Sequence, residues 1–140
     1  MKTPLNAAQW QPVGFNNNYD KPSPGEYTST VIKIEEAPSY KAGDAYKITY
    51  LMSSTEDSRE FEKSEIFINS MQNERTAKLI NDWKNDGFIV NNIEDILGVM
   101  ESVTLEYEVI RGNPYLNITK RNFVGIDNLY TYKDDDDGNA

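Results

Sequence analysis

The chain of 140 residues contains no cysteine and no histidine. Without cysteine there are no disulfides, no thiol nucleophile and no thiolate ligand for zinc. Without histidine the commonest metal ligand is missing, and so is the commonest general base at neutral pH. A metal site would have to be built from carboxylates alone. Glu106 and Glu108 share a strand face, whereas Glu35 and Glu36 are adjacent and point to opposite faces. A solvated strand edge is the plainer account of both pairs. The expectation is a protein that is not an enzyme and carries no metal or cofactor. Long apolar runs are also missing, and nothing approaches the roughly 18 residues that cross a bilayer. Met1-Lys2-Thr3-Pro4 is not followed by the apolar segment of a secretory signal. No membrane association is expected, and the protein is expected to act in the compartment where it is made. Positive charge is scarce, since 14 Lys and Arg face 23 Asp and Glu, leaving −9. A nucleic-acid site on such a body has to be a local basic stripe.

What is present suffices for one domain. Hydrophobic residues make up 38% and aromatics 11%, enough for a modest core. Residues 1–24 read as an arm, punctuated by Pro4, Pro12, Pro22 and Pro24 and carrying Trp10, Phe15 and Tyr19. Their spacing fits neither helix nor strand. Residues 25–126 form the domain. Residues 127–140 form an acidic tail, in which Tyr132-Lys133 and Asp134 to Asp137 match most of a common epitope tag. The tail is not expected to contribute to the fold.

The domain opens with two strands. Residues 26–36 are rich in Thr, Val and Ile, types that suit a pleated surface. Thr28, Thr30, Ile32 and Ile34 lie on one face, with Tyr27, Ser29, Val31 and Lys33 on the other. After turn residues at 38–44, residues 45–52 put Tyr46, Ile48, Tyr50 and Met52 on one face. A third strand at 59–69 alternates Arg59, Phe61, Lys63, Glu65 and Phe67 with Glu60, Glu62, Ser64, Ile66 and Ile68. The period then changes. Thr76, Leu79, Ile80 and Trp83 fall at i, i+3, i+4 and i+7, predicting a helix within 70–86 that docks this stripe. Asn69 or Ser70 is the expected N-cap and Gly87 the stop. A connector at 88–98 leads to a hairpin with strands at 103–110 and 115–124, turned by Arg111-Gly112-Asn113-Pro114. Three strands, a helix and a two-stranded hairpin is the order of an OB-fold, a five-stranded Greek-key barrel with one helix between strands three and four.

Particular residues add a resemblance. Pro24-Gly25-Glu26-Tyr27, Glu35-Glu36, and the Gly43 turn before Tyr46-Lys47-Ile48-Thr49 resemble the opening of the phage-type single-stranded-DNA-binding proteins, which use an OB-fold. The helix start near Asn69, Ile96-Leu97-Gly98, and Asn113-Pro114-Tyr115 continue the likeness over residues 22–125. The resemblance implies sequence-independent binding of single-stranded DNA in phage replication or recombination. It also implies recombination or replication proteins as partners and a setting in the bacterial host cytoplasm. The chain departs from the family in its acidity and in the glutamates of the third strand.

Such binders stack bases on rings while Lys and Arg follow the phosphates. The candidate stacking residues are Tyr46, Tyr50, Phe61, Phe67 and Tyr115, and of these Phe67, next to Ile66 and Ile68, is the ring most expected in the core. The expected cations are Lys33, Lys47, Arg59, Lys63, Arg111, Lys120 and Arg121. A homodimer is expected, because one short site binds weakly. The alternative reading is an acidic protein-interaction module on the same fold, an inhibitor or recruitment factor. A phage assembly subunit is a third, favoured only by the arm.

Overall fold

The computed structural model describes residues 22–132. The arm residues Trp10, Phe15 and Tyr19, and the aspartates at 134–137, lie outside the described residues. The strands are β1 (Gly25–Glu36), β2 (Ala45–Ser54), β3 (Glu60–Ile68), β4 (Val99–Ile110) and β5 (Asn113–Ile126). One α-helix, α1 (Glu74–Asn85), stands between β3 and β4 among the described residues, followed by a 3-10 turn at Ile93–Ile96. The strands make one antiparallel sheet in the order β3-β2-β1-β4-β5. The protein is therefore mainly β, as its sequence indicates. The closed barrel is not found, because β3 and β5 are the two ends of the sheet and no backbone ladder joins them.

The core lies on one face of this curled sheet. Tyr27, Val31, Ile48, Tyr50, Met52, Phe61, Val103 and Leu105 are buried there together with Trp83 of α1. In β1 the strict alternation fails. A bulge between Val31 and Lys33 adds one residue, Ile32. Tyr27, Ser29 and Val31 therefore face the core before the bulge, and Ile34 packs against it afterwards.

The helix presents the stripe read from its period. Thr76 and Trp83 are buried, and Leu79 and Ile80 pack on the core. Its cap differs from expectation. Asn73, not Asn69 or Ser70, accepts the Thr76 backbone N–H at 3.0 Å. The Asn69 amide instead donates to the Gly43 carbonyl at 3.0 Å, tying the helix approach to the β1–β2 turn. The Thr76 hydroxyl donates to the carbonyl of Ile68 at 2.7 Å, which fixes α1 against the end of β3.

Gly98 controls how β4 begins. Its φ is +89°, and a Cβ there would stand 2.6 Å from the Asp127 carbonyl oxygen. Its own N–H donates to Val31 beside the bulge, and its carbonyl accepts from Asp127 at 2.7 Å. One residue without a side chain thus joins β1, β4 and the chain leaving β5.

Among the described residues, the β4–β5 hairpin has no neighbouring strand beyond Leu105. β1 begins with Gly25 opposite Leu105, so residues 106–110 of β4 extend past it with β5 alone. Tyr107, Val109, Ile110 and Tyr115 on this ribbon are exposed. Arg111 and Gly112 close the ribbon with φ of +53° and +84° between the paired Ile110 and Asn113. That is the geometry of a two-residue type I′ turn. The turn is tighter than the four residues expected, and Pro114 is already in β5.

Candidate functional site

The ends of the sheet meet around a cleft of 520 Å³. β3 contributes Glu65 to Ile68, α1 contributes Arg75, Lys78, Leu79 and Asp82, and β5 contributes Ile118 to Asn122. Tyr50 of β2 forms part of its floor. Four cations line it against two carboxylates, on a protein whose net charge is −9.

One of those cations has a structural role. Arg121 holds Glu101, which is 1% exposed, through Nη2 at 2.7 Å and Nε at 3.1 and 3.2 Å. Trp83 donates its indole N–H to the same carboxylate at 3.0 Å. Arg121 also faces Glu65 at 3.5 Å, and its guanidinium lies 5.8 Å from the Tyr50 ring centre. Tyr50 in turn donates its hydroxyl to Glu65 at 3.0 Å. A carboxylate buried without partners would cost several kcal/mol. Here the indole and guanidinium satisfy it, and the network joins α1, β2, β3, β4 and β5.

Electrostatics follow from this closure. Burial pushes the Tyr50 hydroxyl well above its ordinary value of 10.0, while Arg121 pulls it part of the way back. Burial opposes the charge on Arg121. Tyr50, Glu101 and Glu65 more than offset that and hold its pKa above the ordinary value. Arg121 is thus a permanent cation spent on internal carboxylates.

The other three cations are open to solvent. Arg75 and Lys78 have side chains 75% and 77% exposed, and each touches a single carboxylate, Glu65 at 3.5 Å and Asp82 at 2.8 Å. Lys120 is exposed on β5. The Lys78–Asp82 pair is exposed on both sides and contributes little, whereas Arg75 reaches a Glu65 side chain that is only 17% exposed.

The residues expected to form a site are dispersed. Tyr50 and Phe61 are 2% and 4% exposed, so they present no face to a base. This corrects their reading as stackers. Tyr50 is tied into the polar network, and Phe61 meets Tyr27 edge-on at 5.3 Å. Phe67 is buried, as expected. The Arg59-Phe61-Lys63 alternation therefore faces the core side. Lys63 pairs in register with Tyr50 and is half-buried. Arg59 binds Asp57 at 3.0 Å and donates to Ser23 and to the Tyr27 hydroxyl. The outer face of β3 carries Glu60, Glu62, Ser64 and the exposed Ile66 instead.

Lys33 and Lys47 are exposed near the β1–β2 turn, where Lys33 meets Glu35 at 3.3 Å and Lys47 is in register with Glu35. Tyr46 is half-buried beside Phe67. Arg111 and Tyr115 are exposed on the ribbon, and Lys120 and Arg121 lie at the cleft. The structure thus gathers Arg111, Tyr115, Lys120 and Arg121 along β5 and its turn, and separates the rest.

Arg75, Lys78 and Glu101 did not stand out in the sequence. The signal for the first two was their i, i+3 spacing on the polar flank of the helical stripe. Glu101 falls in the inward period of Val99, Val103 and Leu105, two residues before the strand was read to begin.

Comparison of the chain with protein-family models, with curated proteins and with solved structures finds no match.

Proposed function

We propose that the protein binds single-stranded DNA without sequence preference, along a path from the cleft up β5 to the ribbon. The observation that carries the reading is the reversal of charge in the cleft. Arg75, Lys78 and Lys120 are exposed there on an otherwise acidic molecule. Counterion release from a strand tracking these groups supplies the affinity. Tyr115, exposed on β5, offers a ring for stacking, and Arg111 at the turn offers a further cation. From residue 115 to residue 120 a strand spans about 16 Å, a reach of a few nucleotides. A five-stranded, partly open barrel with its helix between the third and fourth strands is the OB architecture, and the strand order here supports an opened form of it. The resemblance noted from the sequence supplies the setting, phage replication or recombination in a bacterial cytoplasm.

Fluorescence anisotropy with a labelled poly-dT oligomer tests the reading, with residues 133–140 removed to take away the aspartates. Binding that weakens steeply with added salt is expected. No binding at micromolar protein in low salt rejects it.

A second reading has its own support. The outer face of β3 exposes Glu60 and Glu62, and the ribbon exposes Tyr107, Val109 and Ile110. An acidic face beside an apolar projection suits a protein partner. Capture of a host protein that survives nuclease treatment favours this reading.

A further inference from the structure

We infer that the free edge of β5 pairs with the same edge of a second copy, antiparallel about a two-fold axis at Asn117. β5 is the last strand of the sheet, and residues 113–117 project beyond the cleft. The backbone directions follow from the turn. Ile110 and Asn113 close a two-residue loop and exchange hydrogen bonds, as do Glu108 with Tyr115 and Glu106 with Asn117. The intervening residues, Leu116 and Ile118, therefore send their N–H and C=O groups outward. Among the described residues these groups have no backbone partner.

An exposed edge is ordinarily blunted by charge or proline. Residues 113–119, NPYLNIT, carry no charged side chain in a protein of net charge −9. Pro114 blunts only the extreme end. Two copies of so acidic a molecule repel, so self-contact selects an uncharged edge, and this one qualifies.

The pattern is also self-complementary about Asn117, as a two-fold contact requires. Leu116 meets Ile118 of the second copy, and Ile118 meets Leu116. Each pair has its backbone groups directed at the other, giving four ladder hydrogen bonds. Tyr115 meets Thr119 on the opposite face. A register centred on Leu116 would oppose Ile118 to Pro114, which has no N–H to give. The apolar pairs continue the inner face of the ribbon, where Tyr107 and Val109 are exposed.

The chain's lack of cysteine makes the test direct. Asn117→Cys would set two thiols across a non-hydrogen-bonded pair, where Cα atoms stand about 4.5 Å apart, close enough for a disulfide. Full-length protein without DNA is measured by light scattering, then oxidised as the N117C variant and as S64C, an exposed position on β3. Expected are a mass twice 16.0 kDa that falls on dilution, and rapid cross-linking of N117C but not of S64C. A monomer at about 100 µM, or equal cross-linking of both variants, overturns the pairing, since ladders between copies need a populated dimer. A full-length monomer that dimerises only after removal of residues 1–21 also overturns it, because the arm would then be the occupant of this edge. None of these readouts depends on DNA binding, so the pairing and the proposed function stand or fall separately.

Discussion

Arg121 on β5 reaches Glu65 on β3 at 3.5 Å across the junction where the sheet has no backbone ladder. The same guanidinium holds Glu101, which is 1% exposed. The seam between the sheet ends is thus bridged by a side chain whose main partner is buried.

Replacing Arg121 by Met strands the Glu101 carboxylate beside Trp83. The expected loss is about 3–5 kcal/mol in urea denaturation, the cost of breaking one partner of a buried pair. The double variant Glu101→Gln, Arg121→Met is expected to recover most of it. A single R121M as stable as the parent would mean that water reaches Glu101.

Gly98→Ala forces a left-handed backbone on alanine and drives its Cβ toward the Asp127 carbonyl. A loss of about 1–3 kcal/mol is expected. Gly43→Ala also stands at positive φ, but nothing lies within 4 Å of its Cβ. Its thermal midpoint is therefore expected to fall less than that of G98A.

Alkaline pH should act through Tyr50. Its folded pKa is raised above 10.0, chiefly by burial, so between the two values the native state keeps a proton that the unfolded state releases. Stability from this group is intact below about pH 10 and declines as pH rises further. Tyr50→Phe removes that component. Denaturation midpoints from pH 8 to 11 are expected to fall less steeply for Y50F than for the parent.

On the cleft, Arg75→Ala, Lys78→Ala and Lys120→Ala are each expected to weaken poly-dT binding. Each should reduce the slope of log affinity against log salt by about 0.7, the value for one phosphate contact on a single strand. Lys33→Ala, whose side chain lies near the β1–β2 turn away from the cleft, is expected to leave the slope unchanged.

Much of this architecture was legible in residue order. The change from a period of two to the stripe Thr76, Leu79, Ile80, Trp83 located the helix and its buried face. The apolar alternation located five strands. The bulge at Ile32 was not legible, because a bulge is set by the partner strand and a run of β-branched residues looks alike on either side of it. The cap fell at Asn73 because Asn69 is engaged with the β1–β2 turn, a contact distant in sequence. The site was harder still. Period places Tyr50 and Phe61 on a face without saying that the face is inside, and a curled sheet with a helix over it leaves its rings no other place. Glu101 looked like any strand glutamate until Trp83 and Arg121 were seen to meet it.

A ladder fixes neighbouring strands at about 4.8 Å. No such ruler applies between β3 and β5, where a guanidinium and a carboxylate meet instead. Side-chain torsions can lengthen or shorten that span while every backbone bond of the sheet stays made. The separation of the two sheet ends is therefore set by side-chain geometry and not by a backbone ladder.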